Sequence, residues 1–315
     1  MSVVSALLSV VVATDSFATV ERVVDVLCRQ TIADRIELVL VTPAPDEVDA
    51  AAAAAGAALA AVRVVQIDDL VPLSAARARG VAAATADVVF LGETHSYPQE
   101  RFAEELLEAH RGDWVAVVPG FENGNPEGAL SWAAFLADYG AWSAELEPRE
   151  LEHIPSYNTA YKRSALLELG PLEDLLTPGD ELIVRLRERG ARFRFHPAAR
   201  ILHVNVATPR FWLQERYLGG LTIASSRSRH WTRGRRLLYA LGSPLIPLVT
   251  MARIVPGVRA ARGQHAVPLA TYPALALTAV ASGVGELAAY LGGPVDRGER
   301  RMTEYEIHRF RYVRE

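Results

Sequence analysis

The chain has 315 residues, of which 50% are hydrophobic, with a mean hydropathy of +0.11, a formal net charge of −4 and a single cysteine, Cys28. This composition supplies a sizeable core and excludes a disordered chain and an intrachain disulfide framework. With a pI near 6.1 it also excludes a general nucleic-acid binder, and the lone cysteine fits a reducing compartment.

Ala6–Ala13 reads as a strand rather than a secretion signal, because the apolar run from Val3 has no basic segment before it and flows into a turn. Thr19–Gln30 has the apolar spacing of an amphipathic helix, Glu37–Val41 reads as a strand, and the alanine-rich run Glu47–Ala61 as a helix. Val62–Ile67 (strand), Ser74–Ala84 (helix), Asp87–Leu91 (strand), Pro98–Arg111 (helix) and Trp114–Pro119 (strand) continue the alternation. Such alternation implies βαβ units: an α/β fold with a mostly parallel, Rossmann-like sheet flanked by helices. The alternation stops at Gly120. Phe121–Pro126 reads as a loop and Ala129–Ala144 as a helix carrying Trp132, Phe135, Tyr139 and Trp142. His153–Tyr161 reads as irregular or extended, Ser164–Leu169 as a short helix, Gly179–Arg189 as a strong helix, and Phe193–Pro197 and Ala199–Asn205 as two strands. After Pro209 the chain is rich in Arg (Arg227–Arg236), with two apolar stretches, Leu237–Val255 and Ala266–Gly293. Basic residues flank and separate these stretches, and Glu286 interrupts the second. They are therefore expected to be helices lying on or dipping into one leaflet, the alternative being a soluble helical hairpin or a homodimer interface.

The segment Ala86–Pro98 carries the sharpest chemical signal. The apolar run Val88–Leu91 stops at Gly92-Glu93-Thr94-His95, where a carboxylate and an imidazole stand two residues apart. In an extended segment these point the same way, and in an open α/β sheet ligands bind beyond the carboxyl ends of the strands. Glu93 and His95 can thus converge on one metal ion or polar ligand; a strand ending in a polar loop is the plainer alternative.

Taken in order, these pieces resemble the family 2 glycosyltransferases of GT-A fold over about Ala6–Val206. The resemblance starts with the opening strand and turn, Leu8–Thr14, and the second strand, Glu37–Val41. It continues through Leu73–Gly80, where Arg77 matches an Arg that approaches the nucleotide diphosphate, and Ala86–His95, the strand ending in the metal motif. Ser156–Leu169 resembles the acceptor-side segment, Thr177–Gly190 the helix whose first acidic residue is the catalytic base, and Arg200–Val204 a strand whose His can ligate metal. The chain departs from the family in having Glu93-Thr94-His95 for Asp-x-Asp, Thr42 for an acidic base-reading residue, and Gly179-Asp180 for Glu-Asp.

The resemblance implies an inverting glycosyltransferase with Asp180 as general base. It implies a nucleotide-diphospho-sugar donor bound by Thr14, Asp15, Thr42, Arg77 and Glu93, and a glycan or lipid-linked acceptor met by Tyr157, Asn158 and Glu181. Glu93, His95 and His203 would hold a divalent metal, Mn²⁺ or Mg²⁺, imidazole favouring Mn²⁺. The expected organisation is a GT-A domain over 1–209, divided into a nucleotide-sugar half (1–119) and an acceptor half (120–209). A helical C-terminal region (210–315) would sit at the inner face of the cell membrane, placing the protein in the cytoplasm. A non-catalytic sugar-nucleotide or glycan binder and a membrane-peripheral scaffold are the alternatives. A nucleotidyltransferase would want a Gly-rich basic loop where this chain has Thr14-Asp15-Ser16-Phe17.

Overall fold

Near-continuous runs of β-branched residues demand burial on both faces, and the first strands obtain it. In the computed structural model, which describes residues 5–293 and 295–313, every residue of β1 (Leu8–Ala13) and β2 (Ile36–Thr42) is buried. Val3 and Val4, where the first apolar run begins, lie outside the described residues. The remaining first-half elements are α1 (Phe17–Cys28), α2 (Asp49–Ala55), β3 (Ala61–Gln66), α3 (Leu73–Ala83), β4 (Val88–Leu91), β5 (Ser96–Pro98), α4 (Phe102–His110) and β6 (Ala116–Asn123). Then come α5 (Ala129–Asp138), β7 (Arg149–Leu151), β8 (Ala160–Lys162), α6 (Arg163–Leu167), α7 (Leu172–Leu175), α8 (Glu181–Glu188) and β9 (Phe193–His203). Among the described residues five α-helices follow: α9 (Pro209–Arg227), α10 (Arg233–Gly242), α11 (Ile246–Gln264), α12 (Thr271–Tyr290) and α13 (Val295–Ile307).

The described strands form one sheet in the order β3-β2-β1-β4-β8-β6-β9-β5, with β7 paired to β9. β3, β2, β1 and β4 run parallel, whereas β8 is antiparallel to both β4 and β6. This is the expected α/β architecture of GT-A type. The strand order reverses between β1 and β4, so the carboxyl ends of these two neighbours form the switch-point crevice where α/β sheets bind ligands.

Three local expectations are corrected. The alanine run forms only a short α-helix, Asp49–Ala55, behind the 3₁₀ turn Pro45–Glu47. β6 continues through Phe121, Glu122 and Asn123, which read as loop in the sequence. The two strands expected around Pro197 are one, β9; its first residues pair with β7, and its Arg200 carbonyl accepts from the Gln99 N–H. Pro197 lies between these pairings, where the strand changes partner and a missing N–H breaks neither.

The chain divides into two compact units, residues 1–120 with 147–202, and residues 121–146 with 203–315. The second unit gathers α5 with the C-terminal helices. Inside it, α9 and α12 pack backbone to backbone. A Cβ on Gly285 would lie 2.0 Å from the Tyr217 carbonyl oxygen, and one on Gly220 2.1 Å from that of Ser282. Two helical stretches, Arg233–Gln264 (mean hydropathy 1.5) and Thr271–Tyr290 (1.2), are long and apolar enough to cross a membrane by length and composition; the first is the far more exposed.

Gly285→Ala forces a methyl group into a fixed carbonyl. It is expected to cost about 3 kcal/mol through overpacking. Gly283→Ala, whose Cβ would sit 3.4 Å from Pro247, meets only ordinary contact. It should be neutral or gain up to about 1 kcal/mol of helix propensity. Thermal melts of the two variants check this contrast.

Candidate active site

The site is built at the end of β4. Gly92 lets the chain leave the sheet against β1, its N–H bonding the Val11 carbonyl at 2.9 Å. Glu93 and His95 then turn inward, 7% and 0% exposed. A carboxylate so buried needs compensation, and several groups converge on it. The Asn158 side-chain amide donates to Glu93 Oε2 at 2.6 Å, and the Ser96 hydroxyl donates at 3.3 Å. His95 Nε2 stands 3.3 Å from the same oxygen, and Arg77 Nη2 lies 3.7 Å from Oε1.

Asn158 adopts a left-handed backbone (φ +51°), which asparagine tolerates better than most residues. Its N–H is pinned to the Leu91 carbonyl at 2.7 Å. This geometry carries its amide to Glu93, so Asn158, expected on the acceptor side, braces the carboxylate. Arg77 projects from α3, and its guanidinium stacks 3.4 Å above the Tyr157 ring. The Tyr157 hydroxyl donates to the Leu176 carbonyl.

Thr14 and Asp15 stand where β1 ends. The Thr14 hydroxyl bonds Thr19 Oγ1 at 2.5 Å, and the Asp15 carboxylate accepts from Ser16 at 3.1 Å, so both side chains shape the turn into α1. At the end of β2, Thr42 Oγ1 accepts from the Ala44 N–H at 3.1 Å, closing a small turn. Asp180 is exposed and occupies the position before α8, yet its side chain makes no capping hydrogen bond, and Glu181 beside it is also exposed. The carboxylate of Asp180 is therefore not spent on the helix it precedes.

The division between the units falls inside the unbroken strand β9, so His203 is the last residue of a strand whose ladder with β7 belongs to the first unit. Glu93, His95 and His203 are all buried. One carboxylate and two imidazoles form a donor set suited to a divalent first-row cation such as Mn²⁺.

Residues not anticipated from the sequence hold His203 in place. Its Nδ1 is 3.0 Å from Asn205 Oδ1, a pairing that fixes Nδ1–H and leaves the ring lone pair on Nε2. The Asn205 amide in turn donates to Asn123 Oδ1 at 3.0 Å, and the Asn205 N–H donates to Asn125 Oδ1 at 2.8 Å. The Ser131 hydroxyl bonds both asparagines at 2.9 Å. The Tyr139 ring packs 4.5 Å from that of His203. Trp132 is buried, with its indole N–H donating to the Pro126 carbonyl.

No protein-family model matches the chain. Over 165 residues, half of this chain, it is 28% identical to the pre-mycofactocin glycosyltransferase of Mycobacterium tuberculosis, in two strains. The match takes in 35% of that protein, so the chain spans about a third of the length of the curated relatives it matches. Among solved structures, the mannosyltransferase PcManGT from Pyrobaculum calidifontis, in complex with GDP-Man and Mn²⁺, superposes with a TM-score of 0.53 at 16% identity. That superposition covers 90% of this chain and 88% of that one. S. aureus TarS in complex with UDP gives a TM-score of 0.49 at 14% identity, over 91% and 92% of the two chains. The likeness to the mannosyltransferase agrees with the strand order in showing the GT-A type of fold.

Asn205→Ala removes the acceptor that orients His203. Calorimetry should show affinity for Mn²⁺ falling about tenfold, as for other partners that orient metal-binding histidines. Asn205→Asp keeps an acceptor oxygen and should retain most of the affinity.

Proposed function

We propose that the chain is a glycosyltransferase that moves a sugar from a nucleoside-diphosphate donor to a hydroxyl acceptor, with inversion at the anomeric carbon. The observation that carries this reading is the pairing of buried Glu93 and His95 at the switch point, with Arg77 beside Glu93. It is supported by the named activities of the sequence relative and the fold relative, and by the Mn²⁺ bound in the latter.

A divalent cation, Mn²⁺ or Mg²⁺, held by Glu93, His95 and His203 would neutralise charge growing on the diphosphate as it leaves. Arg77, fixed by its stack on Tyr157, adds a second positive charge to the same crevice and needs no reorganisation during the reaction. Thr14, Asp15 and Thr42 border the crevice at the ends of β1 and β2, where the nucleoside would lie. The acceptor oxygen attacks the anomeric carbon while the bond from that carbon to the diphosphate oxygen breaks. The hydroxyl proton passes to Asp180, and the nucleoside diphosphate departs. Tyr157 and Glu181 border the acceptor side, and Asn158, expected there, instead fixes Glu93 on the donor side. The acceptor is a lipid-linked or cell-envelope glycan met at the cytoplasmic membrane face, a reading supported by the two long apolar helical stretches.

Asp180→Asn should lower turnover about a thousandfold, the scale of a lost general base, while calorimetric binding of nucleoside diphosphate with Mn²⁺ stays unchanged. Full turnover in this variant overturns the assignment of the base. No binding of any nucleoside diphosphate with Mn²⁺, Mg²⁺ or EDTA overturns the donor site and leaves the non-catalytic and scaffold readings.

A further inference from the structure

The transfer chemistry makes no use of α10 and α11, yet they carry the most unusual surface of the second unit. Leu237, Leu238, Leu241, Leu245, Leu248 and Val249 are all exposed, Leu241 at 73% and Leu248 at 69%. Their three- and four-residue spacing aligns them in one stripe along the consecutive helices. Single exposed leucines are ordinary, but six in a stripe form an apolar patch that marks an interaction surface. The stretch of chain that carries it is basic. Between Glu215 and Glu286 the chain has nine arginines and no aspartate or glutamate.

Beside the stripe lies a cleft of about 450 Å³. Leu238, Leu245 and Val249 give it an apolar wall, while Arg227, Arg253 and Glu286 give it a polar one. Arg227 bonds both Glu286 and the Tyr290 hydroxyl. With two guanidinium groups and one carboxylate, the cleft keeps a net positive charge. Trp231 packs against Tyr239, with ring centroids 4.4 Å apart, and Arg235 stacks 4.1 Å over the Trp231 ring. Aromatic and arginine side chains of this kind favour the boundary between acyl chains and headgroups.

We propose that the Leu237–Val249 stripe sinks into one leaflet of a bilayer and that the adjoining cleft receives the phosphate of an anionic phospholipid. This deepens the membrane-face part of the proposed function and is independent of the transfer chemistry. The stripe lies in the plane of the membrane and does not cross it. Arg253 follows Val249 by one helical turn, and at the bilayer centre its charge would be costly. A second copy is a poor occupant, because two faces that each carry an excess of arginine over carboxylate repel one another.

The test is co-sedimentation of the full chain with vesicles of phosphatidylcholine alone, and with vesicles in which a quarter of the lipid is phosphatidylglycerol. Binding should be stronger to the anionic vesicles and weaken with salt. Arg253→Gln should reduce anionic binding about fivefold, equivalent to about 1 kcal/mol for one arginine near such a surface. Leu241→Glu with Leu248→Glu should abolish binding to both kinds of vesicle without altering the circular dichroism spectrum. Equal binding to both vesicle types, or no effect of Arg253→Gln, overturns the headgroup site. No vesicle binding, with dimers in light scattering that the leucine substitutions dissociate, assigns the stripe to a second copy and overturns the proposal. A Glu93→Ala/His95→Ala variant should bind vesicles as the wild type does, so failure of the donor-site reading remains distinguishable from failure here.

Discussion

The candidate site depends on a single constraint, the burial of the Glu93 carboxylate where β4 ends. Left alone, a carboxylate in such a place would cost far more than the few kcal/mol by which domains are stable. The protein stabilises it by bringing three separate segments to one point: α3 through Arg77, the chain beyond β4 through His95 and Ser96, and the turn before β8 through Asn158. The contacts do not stop there. Arg77 stacks on Tyr157, and the Tyr157 hydroxyl reaches the Leu176 carbonyl, four residues before Asp180. The elements proposed to face donor and acceptor are thus tied by one line of contacts starting at Glu93.

Glu37 shows what a purely structural carboxylate looks like in the same sheet. It sits in β2 at the end away from the crevice and is fully buried. The Ser9 hydroxyl donates to it at 2.5 Å and the Thr85 N–H at 2.8 Å, with Arg63 at 3.4 Å. Burial pushes the Glu37 carboxyl up, but the hydrogen bonds from Ser9 and Thr85 and the Arg63 charge outweigh it, so its pKa lies below the usual value. Its partners satisfy it within the first unit. Glu93 instead has the Asn158 amide at 2.6 Å, His95 Nε2 at 3.3 Å and Arg77 Nη2 at 3.7 Å, the last longer than a good charge-assisted hydrogen bond. It is the carboxylate of the proposed cation site.

The strands that build the crevice were legible in the sequence because burial on both faces leaves uninterrupted apolar runs. Glu93 and His95 were legible because they interrupt such a run abruptly. The holders of His203 were not. Asn123 and Asn125 belong to a Phe121–Pro126 stretch whose composition signals a loop, and they meet Asn205 across 82 and 80 residues of chain. Local pattern carries no information about such a meeting. Pro197 misled for a related reason: proline argues against a strand interior, and only the change of partner along β9 makes it acceptable there. The same limit applied to the units, because α5 joins the C-terminal helices through packing that no linker composition announces.

The second unit distributes its charges in a way that bears on its exposed helices. Its α9 carboxylate, Glu215, is buried between Arg216, at 2.7 Å, and Arg309, and Arg216 also pairs with Asp138 at 2.5 Å. Burial pushes the Glu215 carboxyl up, but the two guanidinium groups more than offset this and keep it charged. Removing one partner from such a cluster typically costs about 3–5 kcal/mol, so these acids are held to interior tasks that join α9 to α5 and to the C-terminal turn. Glu286 is likewise engaged, by Arg227. Between these two glutamates the sequence supplies no acid that could offset the arginines of α10 and α11. A surface that is apolar along one stripe and predominantly basic beside it is poorly matched to water and to its own copy. An anionic lipid surface, the occupant proposed for it, matches it in both polarity and sign.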